Sequence, residues 1–435
     1  MGFSTVFEMI DDVQVTRLPN GPAIITEHMP GLRSVTAGIW VRRGSRHETP
    51  ELNGITHFIE HAVFKGTERR SAHDIAVVSD RLGGHLDAYT THELTGFTVK
   101  VADTGLPLAF DLIADMLSFP KFDSEDLERE KKVILEEIKM VEDTPDELLA
   151  ELFNAAYFPS HALGRPIEGT AETVPTFDQA TTARFHATEF SPDNFVVAAA
   201  GNIDHAQLVA LAEAAFCNGQ CPQRNAATTA QPAAPPVTAS PIFIEQKEEL
   251  EQAHLIIAAP WPSSRHDDRY AATMLASVLG GGTSSRLWQR VREERGLAYS
   301  VGAGVSTFSD LGVFSVYAGT SPSQLDEVLD ISIEELRRVV REPVKEEELR
   351  LVKDQAISST LLGLESSSAR ASTLARQEII HGRRISPEEM ISRLEAVTAA
   401  DIQRVAQSYL VSENLALGAL GNLNGFQVDR SRLEI

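Results

Sequence analysis

Apolar runs of strand length alternate along the chain with stretches in which apolar residues recur every three or four positions. These two periods predict strands and amphipathic helices, respectively. The pattern occurs twice, because the strand-like segment 191–204 recurs at 411–424 and the helical segment 122–138 matches 344–360. We therefore predict an α+β fold of two structurally related domains, each a mainly antiparallel sheet packed with helices.

A segment without apolar period separates the two copies. Residues 217–241 are rich in Ala, Pro, Thr and Gln, which is typical of a linker stiffened by its prolines. The sequence therefore predicts a first domain at 1–216, a Pro/Ala-rich linker at 217–241 and a second, homologous domain at 242–435.

Composition and charge narrow the possible partners. The 435-residue chain carries 39 basic and 62 acidic side chains, which gives a formal net charge of −23. This charge argues against nucleic acid as the main partner, because phosphate binding requires a basic face. It would attract a cationic substrate, although a high net charge more often serves solubility.

Hydropathy predicts no membrane-spanning segment, since no apolar run reaches the roughly 18 residues that a spanning helix requires. The N-terminal residues lack the basic and apolar regions of a secretory signal, and they are too acidic for a transit peptide. We therefore expect a cytoplasmic protein.

The segment GITHFIEHAVFKGT, at 54–67, has helical period and places His57, Glu60 and His61 on one face. Two imidazoles one turn apart can bind one zinc ion, and the carboxylate between them would lie beside the metal. The alternative is a polar, solvated helix face. The motif alone leaves both interpretations open.

A second predicted helix, at 124–143, offers further ligands. We expect Ser124 to be its N-cap. Glu130 and Glu137 lie two turns apart at the edge of an apolar stripe, where a carboxylate is costly unless it is paired or binds a metal. Glu137 is the natural third ligand, with Glu130 orienting a histidine. Pairing of both glutamates with Arg or Lys is the alternative.

The second copy of the repeat lacks these residues. Its counterpart of the histidine motif is predicted near SVLGGGTSS, at 277–285, and Ser359 stands opposite Glu137. Because the same fold is predicted without them, the histidines and carboxylates of the first copy are not required for packing. Their presence therefore favours a functional role.

Four strings together, HFIEHAVFKGT, GGHLDAYTTHELTGF, LEREKKVILEEI and GGGTSSRLWQRVREERGLAYSVGA, resemble the pitrilysin-like inverted-zinc-motif metallopeptidases, in particular the two-domain processing-peptidase type. The resemblance extends over nearly the whole chain. It implies one Zn²⁺ per chain with His57, His61 and Glu137 as ligands, Glu60 as the general base that activates zinc-bound water, and Glu130 as a supporting carboxylate.

In the second half, the resemblance selects Arg292 and Tyr299, which are seven residues apart. Tyr299 would donate a hydrogen bond to the oxyanion, and Arg292 would hold a peptide carbonyl or carboxylate. From the sequence alone, Arg290 and Arg295 fit equally well, and a surface arginine beside a half-buried tyrosine is the simpler interpretation. The glycine run 280–282 is expected to form a bend or a gating loop.

The resemblance also implies that an edge strand of the first domain pairs with the substrate backbone, a mode that accepts many sequences. His85 and His92, which flank this strand, are expected to be surface residues. The predicted edge-strand residues are Asp87, Ala88, Tyr89 and Thr90.

The sequence thus predicts a zinc-dependent endopeptidase that cleaves peptides or unfolded segments. The resemblance implies a closed chamber formed by two chains, as a homodimer or a heterodimer with a homologous chain. The alternative is a non-catalytic subunit of a larger complex, either core-like or regulatory, with the same fold. The five intact motif positions favour the enzyme.

Overall fold

The computed structural model describes residues 13–19, 21–216 and 236–435. Its first sheet has six strands: β1 (Val13–Arg17), β2 (Ala23–His28), β3 (Ser34–Val41), β4 (His85–Thr90), β5 (Thr95–Ala102) and β6 (Phe195–Gly201). Their order is β1-β2-β6-β3-β5-β4, so β4 forms an edge. Neighbouring strands are antiparallel except β2 and β6, which are parallel.

The second sheet repeats this arrangement with five strands: β7 (Ile242–Gln246), β8 (Ala253–Trp261), β9 (Ala298–Thr307), β10 (Gly312–Thr320) and β11 (Ala416–Gly421). Their order is β7-β11-β8-β10-β9, and the one parallel pair is β7 and β11, which occupy the positions of β2 and β6 in the first sheet. The prediction of two related α+β domains with mainly antiparallel sheets is therefore confirmed.

Seven helices of the first half are α1 (Ile55–Ala62), α2 (Ala72–Leu82), α3 (Leu106–Ser118), α4 (Ser124–Glu142), α5 (Pro145–Tyr157), α6 (Gln179–Glu189) and α7 (His205–Phe216). Those of the second half are α8 (Arg269–Gly280), α9 (Leu325–Arg341), α10 (Glu346–Gly363), α11 (Ser367–His381), α12 (Pro387–Ala396) and α13 (Ala399–Tyr409). The predicted helical repeat corresponds to α4 and α10.

Several local predictions need correction. Ser124 is not the N-cap of α4, because the side chain of Asp123 accepts the N–H of Glu125 at 2.9 Å. The helix that follows the first long strand of the second half is α8, so the predicted counterpart 277–285 covers only its C-terminal end. After the glycine run, residues Trp288–Glu293 have π-helical geometry.

The two halves exchange helices. From the second half, α11 packs on one face of the first sheet, where Leu374 joins the apolar cluster of Trp40 and Val196. From the first half, α5 packs on the second sheet, where Phe153 joins the cluster of Ile256. The helices α1, α3 and α4 cover the opposite face of the first sheet. Each domain core therefore includes residues from both halves.

Residues 217–235 of the predicted linker lie outside the described residues, and so does the N-terminal segment 1–12. The domain boundaries at 1–216, 217–241 and 242–435 stay a prediction, as does the cytoplasmic location. None of the helices in the described residues is long and apolar enough to cross a membrane.

Candidate metal centre

A buried carboxylate holds the N-terminus of α1, the helix that carries the two histidines. Glu48 accepts the backbone N–H groups of Gly54 and Thr56, both at 2.8 Å. The N–H groups at the start of a helix lack intrahelical partners, and a negative charge there complements the helix dipole. Burial raises the pKa of Glu48 more than these hydrogen bonds lower it. Glu48 lies outside every sequence motif, so the sequence did not indicate this role.

Gly54 allows a second segment to approach the start of α1. Its φ is +94°, and a Cβ at this position would lie 2.5 Å from the Cα of Gly169. Glycine alone satisfies both conditions. Close by, Thr173 Oγ1 donates to the carbonyl of Asn53 at 2.8 Å. The position of α1 is therefore fixed by contacts with Glu48 and with the segment of Gly169 and Thr173, in addition to the packing of its own side chains.

The apolar side of α1 determines where its histidines lie. Phe58 and Ile59 are fully buried in the core of the first domain, so the opposite side of the helix, with His57 and His61, is directed towards α4. The side chains of these histidines are only 14% and 20% exposed. The interpretation as a solvated helix face is therefore wrong.

Helix α4 brings the predicted third ligand to the histidines. The Nε2 atoms of His57 and His61 lie 4.0 Å and 3.7 Å from Oε2 of Glu137. One potential ligand atom from each of the three residues lies within 4.8 Å of the others. Across residues 13–19, 21–216 and 236–435, no other group of His, Cys, Asp and Glu side chains is arranged in this way.

Glu130 lies behind the His57–His61–Glu137 cluster and holds one of its histidines. Its Oε2 is 3.4 Å from Nδ1 of His61, and its Oε1 is 2.8 Å from Nζ of Lys65. Glu130 therefore contacts both a histidine, as predicted, and a lysine, as in the alternative. The sequence analysis missed Lys65, although it stands one helical turn after His61 in the same string.

The two histidines differ in their proton affinity. Burial, together with the charge of neighbouring His61, lowers the pKa of His57 to about 4. Burial also acts to lower the pKa of His61, but the hydrogen bond to Glu130 and the charges of Glu137 and Glu60 outweigh it and raise the pKa. His57 is consequently neutral at physiological pH, which is the form that binds a metal.

Glu60 lies on the same helix and contacts the edge strand. Thr90 Oγ1, at the end of β4, donates to Oε2 of Glu60 at 2.6 Å. Burial raises the pKa of Glu60, while the hydrogen bond from Thr90 and the charge of His61 act in the opposite direction. The sequence analysis assigned Thr90 to the edge strand but did not connect it with Glu60.

The predicted edge strand is found at the edge of the first sheet. Ala88 packs against the core on the α1 side, whereas the hydroxyl of Tyr89 accepts Trp40 Nε1–H at 2.9 Å on the other face. Asp87 and His85 are exposed, as expected for His85. The predictions of Asp87, Ala88, Tyr89 and Thr90 as substrate-pairing residues stay predictions.

The expectation that His92 is a surface residue is wrong. Its Nδ1 is hydrogen-bonded to Ser45 Oγ at 2.8 Å, and its ring packs edge-on against Phe308 of the second half. Burial lowers its pKa to about 4, and the charge of Arg46 adds to this effect. His92 is thus part of the contact between the halves, which a single-sequence pattern does not indicate.

Arg292 and Tyr299 contact each other. Arg292 Nη1 donates to the carbonyl of Tyr299 at 2.7 Å, and its guanidinium lies between the rings of Trp288 and Tyr299, at 4.2 Å and 4.9 Å from their centroids. The Tyr299 residue is 78% exposed. Among the described residues, neither side chain makes a hydrogen bond, ion pair or ring contact with the His57–His61–Glu137 cluster.

The three candidate arginines differ in their ion pairs. Arg290 forms ion pairs with two glutamates of α9, and Arg295 forms one with Glu327. For Arg292, no ion pair with a carboxylate is found within the described residues. Of the three, Arg292 is therefore the one whose charge is available to a ligand.

Further glutamates lie near the cluster. Burial raises the pKa of Glu168, and the charge of Glu137 adds to this effect. Burial also raises the pKa of Glu151 to about 7, and Glu168 is the first of several glutamates whose charge contributes. Glu168 is therefore within range of the charge of Glu137, and Glu151 within range of that of Glu168.

Two α+β domains of one topology, with a cluster of two histidines and a glutamate in the first, define the class of two-domain metallopeptidases. The sequence model of the insulinase family (peptidase family M16) matches residues 23–171, and that of the peptidase M16 inactive domain matches residues 177–356. The chain belongs to peptidase family M16. The predicted resemblance is thereby confirmed.

Relatives agree with this assignment. An uncharacterized zinc protease of Streptomyces coelicolor is 41% identical over 97% of this chain and 92% of that protein. The beta subunit of the mitochondrial-processing peptidase of Blastocladiella emersonii is 33% identical over 95% of this chain and 89% of that protein. A solved protease from Helicobacter pylori has the same fold, with a TM-score of 0.87 at 20% identity over 94% of this chain and 100% of that one.

We expect Glu48→Ala to lower the free energy of unfolding by about 2 kcal/mol, because two N–H groups lose their buried acceptor. Urea denaturation after chelator treatment measures this without any contribution from metal binding. Glu51→Ala is the matched control, since Glu51 is exposed on the same segment. Equal stability of the two variants would contradict the role of Glu48 in positioning α1.

Proposed function

We propose that the protein is a zinc-dependent endopeptidase that cleaves peptides or unfolded segments. The observation that carries this proposal is the convergence of His57, His61 and Glu137, with Glu60 on the same helix as the histidines. Family membership and the names of the relatives support the same reaction class.

The donor set fits zinc. Two imidazole nitrogens and one carboxylate oxygen are a usual ligand set for catalytic zinc, which keeps a fourth position for water or substrate. Tetrahedral ligands at about 2.1 Å from zinc stand about 3.4 Å apart, and the distances of 3.7 Å and 4.0 Å from the histidine Nε2 atoms to Glu137 are close to that spacing. Glu130 would keep His61 in the tautomer that presents Nε2.

Each residue of the chain then has a distinct task. Zinc, when bound, supplies a Lewis acid that lowers the pKa of a water molecule and polarises the scissile carbonyl. Glu60 would accept the proton of the attacking water, a task to which its burial and raised pKa are suited. The free edge of β4 would align the substrate backbone. Tyr299 would donate a hydrogen bond to the oxyanion, and Arg292 would hold a substrate carbonyl or carboxylate.

The competing function is that of a core-like or regulatory subunit without activity. It does not require Glu60 to be buried beside the histidines, nor Glu130 and Lys65 to support His61. These arrangements cost free energy through burial of charge, and they are consistent with selection for catalysis. The enzyme is therefore the better-supported function.

Two substitutions separate metal binding from catalysis. Glu137→Gln is expected to lose zinc and activity together, whereas Glu60→Gln is expected to keep one zinc per chain and to lose activity by about a hundredfold or more. Zinc content and cleavage of a quenched peptide measure the two effects.

Glu136→Gln is the control, because Glu136 is exposed on the same helix and pairs with Lys139. This variant should keep both zinc and activity. Cleavage that survives in the Glu60→Gln chain would contradict the proposed mechanism.

Tyr299 is exposed, and among the described residues it does not contact the His57–His61–Glu137 cluster of its own chain. Both observations support a role for Tyr299 in the site of a second chain. We expect a mixture of Glu60→Gln and Tyr299→Phe chains to recover activity, because a mixed dimer would contain one complete site. Random pairing gives mixed dimers in half of the population, so the recovered rate is about a quarter of that of the unmodified protein.

Differently tagged chains allow the mixed dimers to be purified and counted. Mixed dimers that form but remain as inactive as the single variants would show that Tyr299 does not serve the partner's site.

The formal net charge of −23 and the carboxylates of the cluster favour cationic peptides. We expect a lysine-containing quenched peptide to have a lower KM than its glutamine counterpart at low salt, with a difference that shrinks as ionic strength screens the charges. Steady-state kinetics at two salt concentrations measure this. Equal KM values at low salt would contradict the preference.

A further inference from the structure

The hydrogen bond between Thr90 and Glu60 links the proposed base to the proposed substrate strand. It is short, at 2.6 Å from Oγ1 to Oε2. Within the described residues it is the one hydrogen bond that the Glu60 side chain makes. Glu60 is otherwise enclosed by α1 and its surroundings and is only 8% exposed. The orientation of this carboxylate therefore depends on a single donor.

The donor itself is held firmly. Thr90 is the last residue of β4 and pairs with Thr95 of β5, and the turn is closed by the N–H of Thr91, which donates to the carbonyl of Leu94 at 2.8 Å. Thr95 Oγ1 is bound to the carbonyl of Arg43 at 2.9 Å. A β-branched side chain on such a backbone has few accessible rotamers. The Thr90 hydroxyl is thus a rigidly placed donor.

The alternation of side chains along β4 explains why this hydroxyl reaches Glu60. Leu86 and Ala88 contact the core on the α1 side, whereas Tyr89 joins the cluster on the opposite face. Thr90 follows the same period as Leu86 and Ala88 and is therefore directed towards α1.

We propose that Thr90 is a positioning residue for the base. Its hydroxyl binds Oε2 of Glu60 and leaves Oε1 free to accept the proton of the attacking water. Because Thr90 belongs to the strand that would pair with substrate, one rigid element aligns both the base and the peptide to be cleaved. This inference rests on the proposed function and adds a residue whose contribution is to orientation rather than to binding.

Thr90→Val removes the hydroxyl while keeping the shape of the side chain, and Thr90→Ser keeps the hydroxyl. We expect Thr90→Val to lower kcat by about tenfold or more, since a hydrogen bond to a charged group is lost. KM and zinc content should remain within about twofold of their original values, because neither ligands nor the strand are changed. Thr90→Ser should restore most of kcat.

Thr98→Val is the matched control. Thr98 lies on β5, opposite Asp87, and is partly buried like Thr90. It makes no side-chain hydrogen bond within the described part of the chain, so the same substitution there should leave kcat unchanged. A general effect of removing a threonine hydroxyl from this hairpin would lower kcat in both variants and would overturn the proposal.

Three other results would also overturn it: an unchanged kcat in Thr90→Val, a rise in KM in place of the fall in kcat, or failure of Thr90→Ser to restore kcat. Failure of the proposed function is distinguished by Glu60→Gln measured in parallel. If Glu60→Gln remains active, Glu60 is not the base. If Glu60→Gln is inactive and Thr90→Val is fully active, only the role of Thr90 is refuted.

Discussion

The first N–H groups of α1 have no acceptors in their own helix. The buried carboxylate of Glu48 accepts hydrogen bonds from two N–H groups at this end, those of Gly54 and Thr56. A short helix of eight residues has little stability by itself, so this anchor and the packing of Phe58 and Ile59 determine where the helix lies. The direction of His57 and His61 towards α4 follows from that placement. The geometry of the candidate metal centre thus depends on Glu48, which is not one of its proposed ligands.

The second constraint is electrostatic. Glu60, Glu130 and Glu137 lie around two histidines in a largely enclosed space, and three carboxylates so placed repel one another. Lys65 offsets part of this charge through Glu130, and a divalent cation among the ligands would offset more. This arrangement of carboxylates therefore favours a bound positive charge.

The sequence predicted those site residues that can be recognised from helical spacing within a short segment. His57, His61 and Glu137 follow from helical spacing and an apolar stripe, and the two-domain fold follows from the internal repeat. Glu48, Lys65 and the contact of Thr90 with Glu60 were missed, because each depends on which elements meet in space. His92 was misjudged for the same reason, since its neighbours Ser45 and Phe308 are distant in sequence. The residues alone did not distinguish Arg292 from Arg290 and Arg295; the resemblance selected it, and the ion pairs of the other two agree with that choice.

The exchange of α5 and α11 has a consequence for how the chain folds. Both helices directly follow the helical segment that is repeated, so each copy sends the equivalent helix to the other's sheet. Within one polypeptide, this exchange has the topology of a domain-swapped dimer. Severing the halves would uncover Trp40 and Val196 on one sheet and Ile256 on the other. We therefore expect that the half with the His57–His61–Glu137 cluster does not fold on its own, because the half without the motif contributes residues to its core.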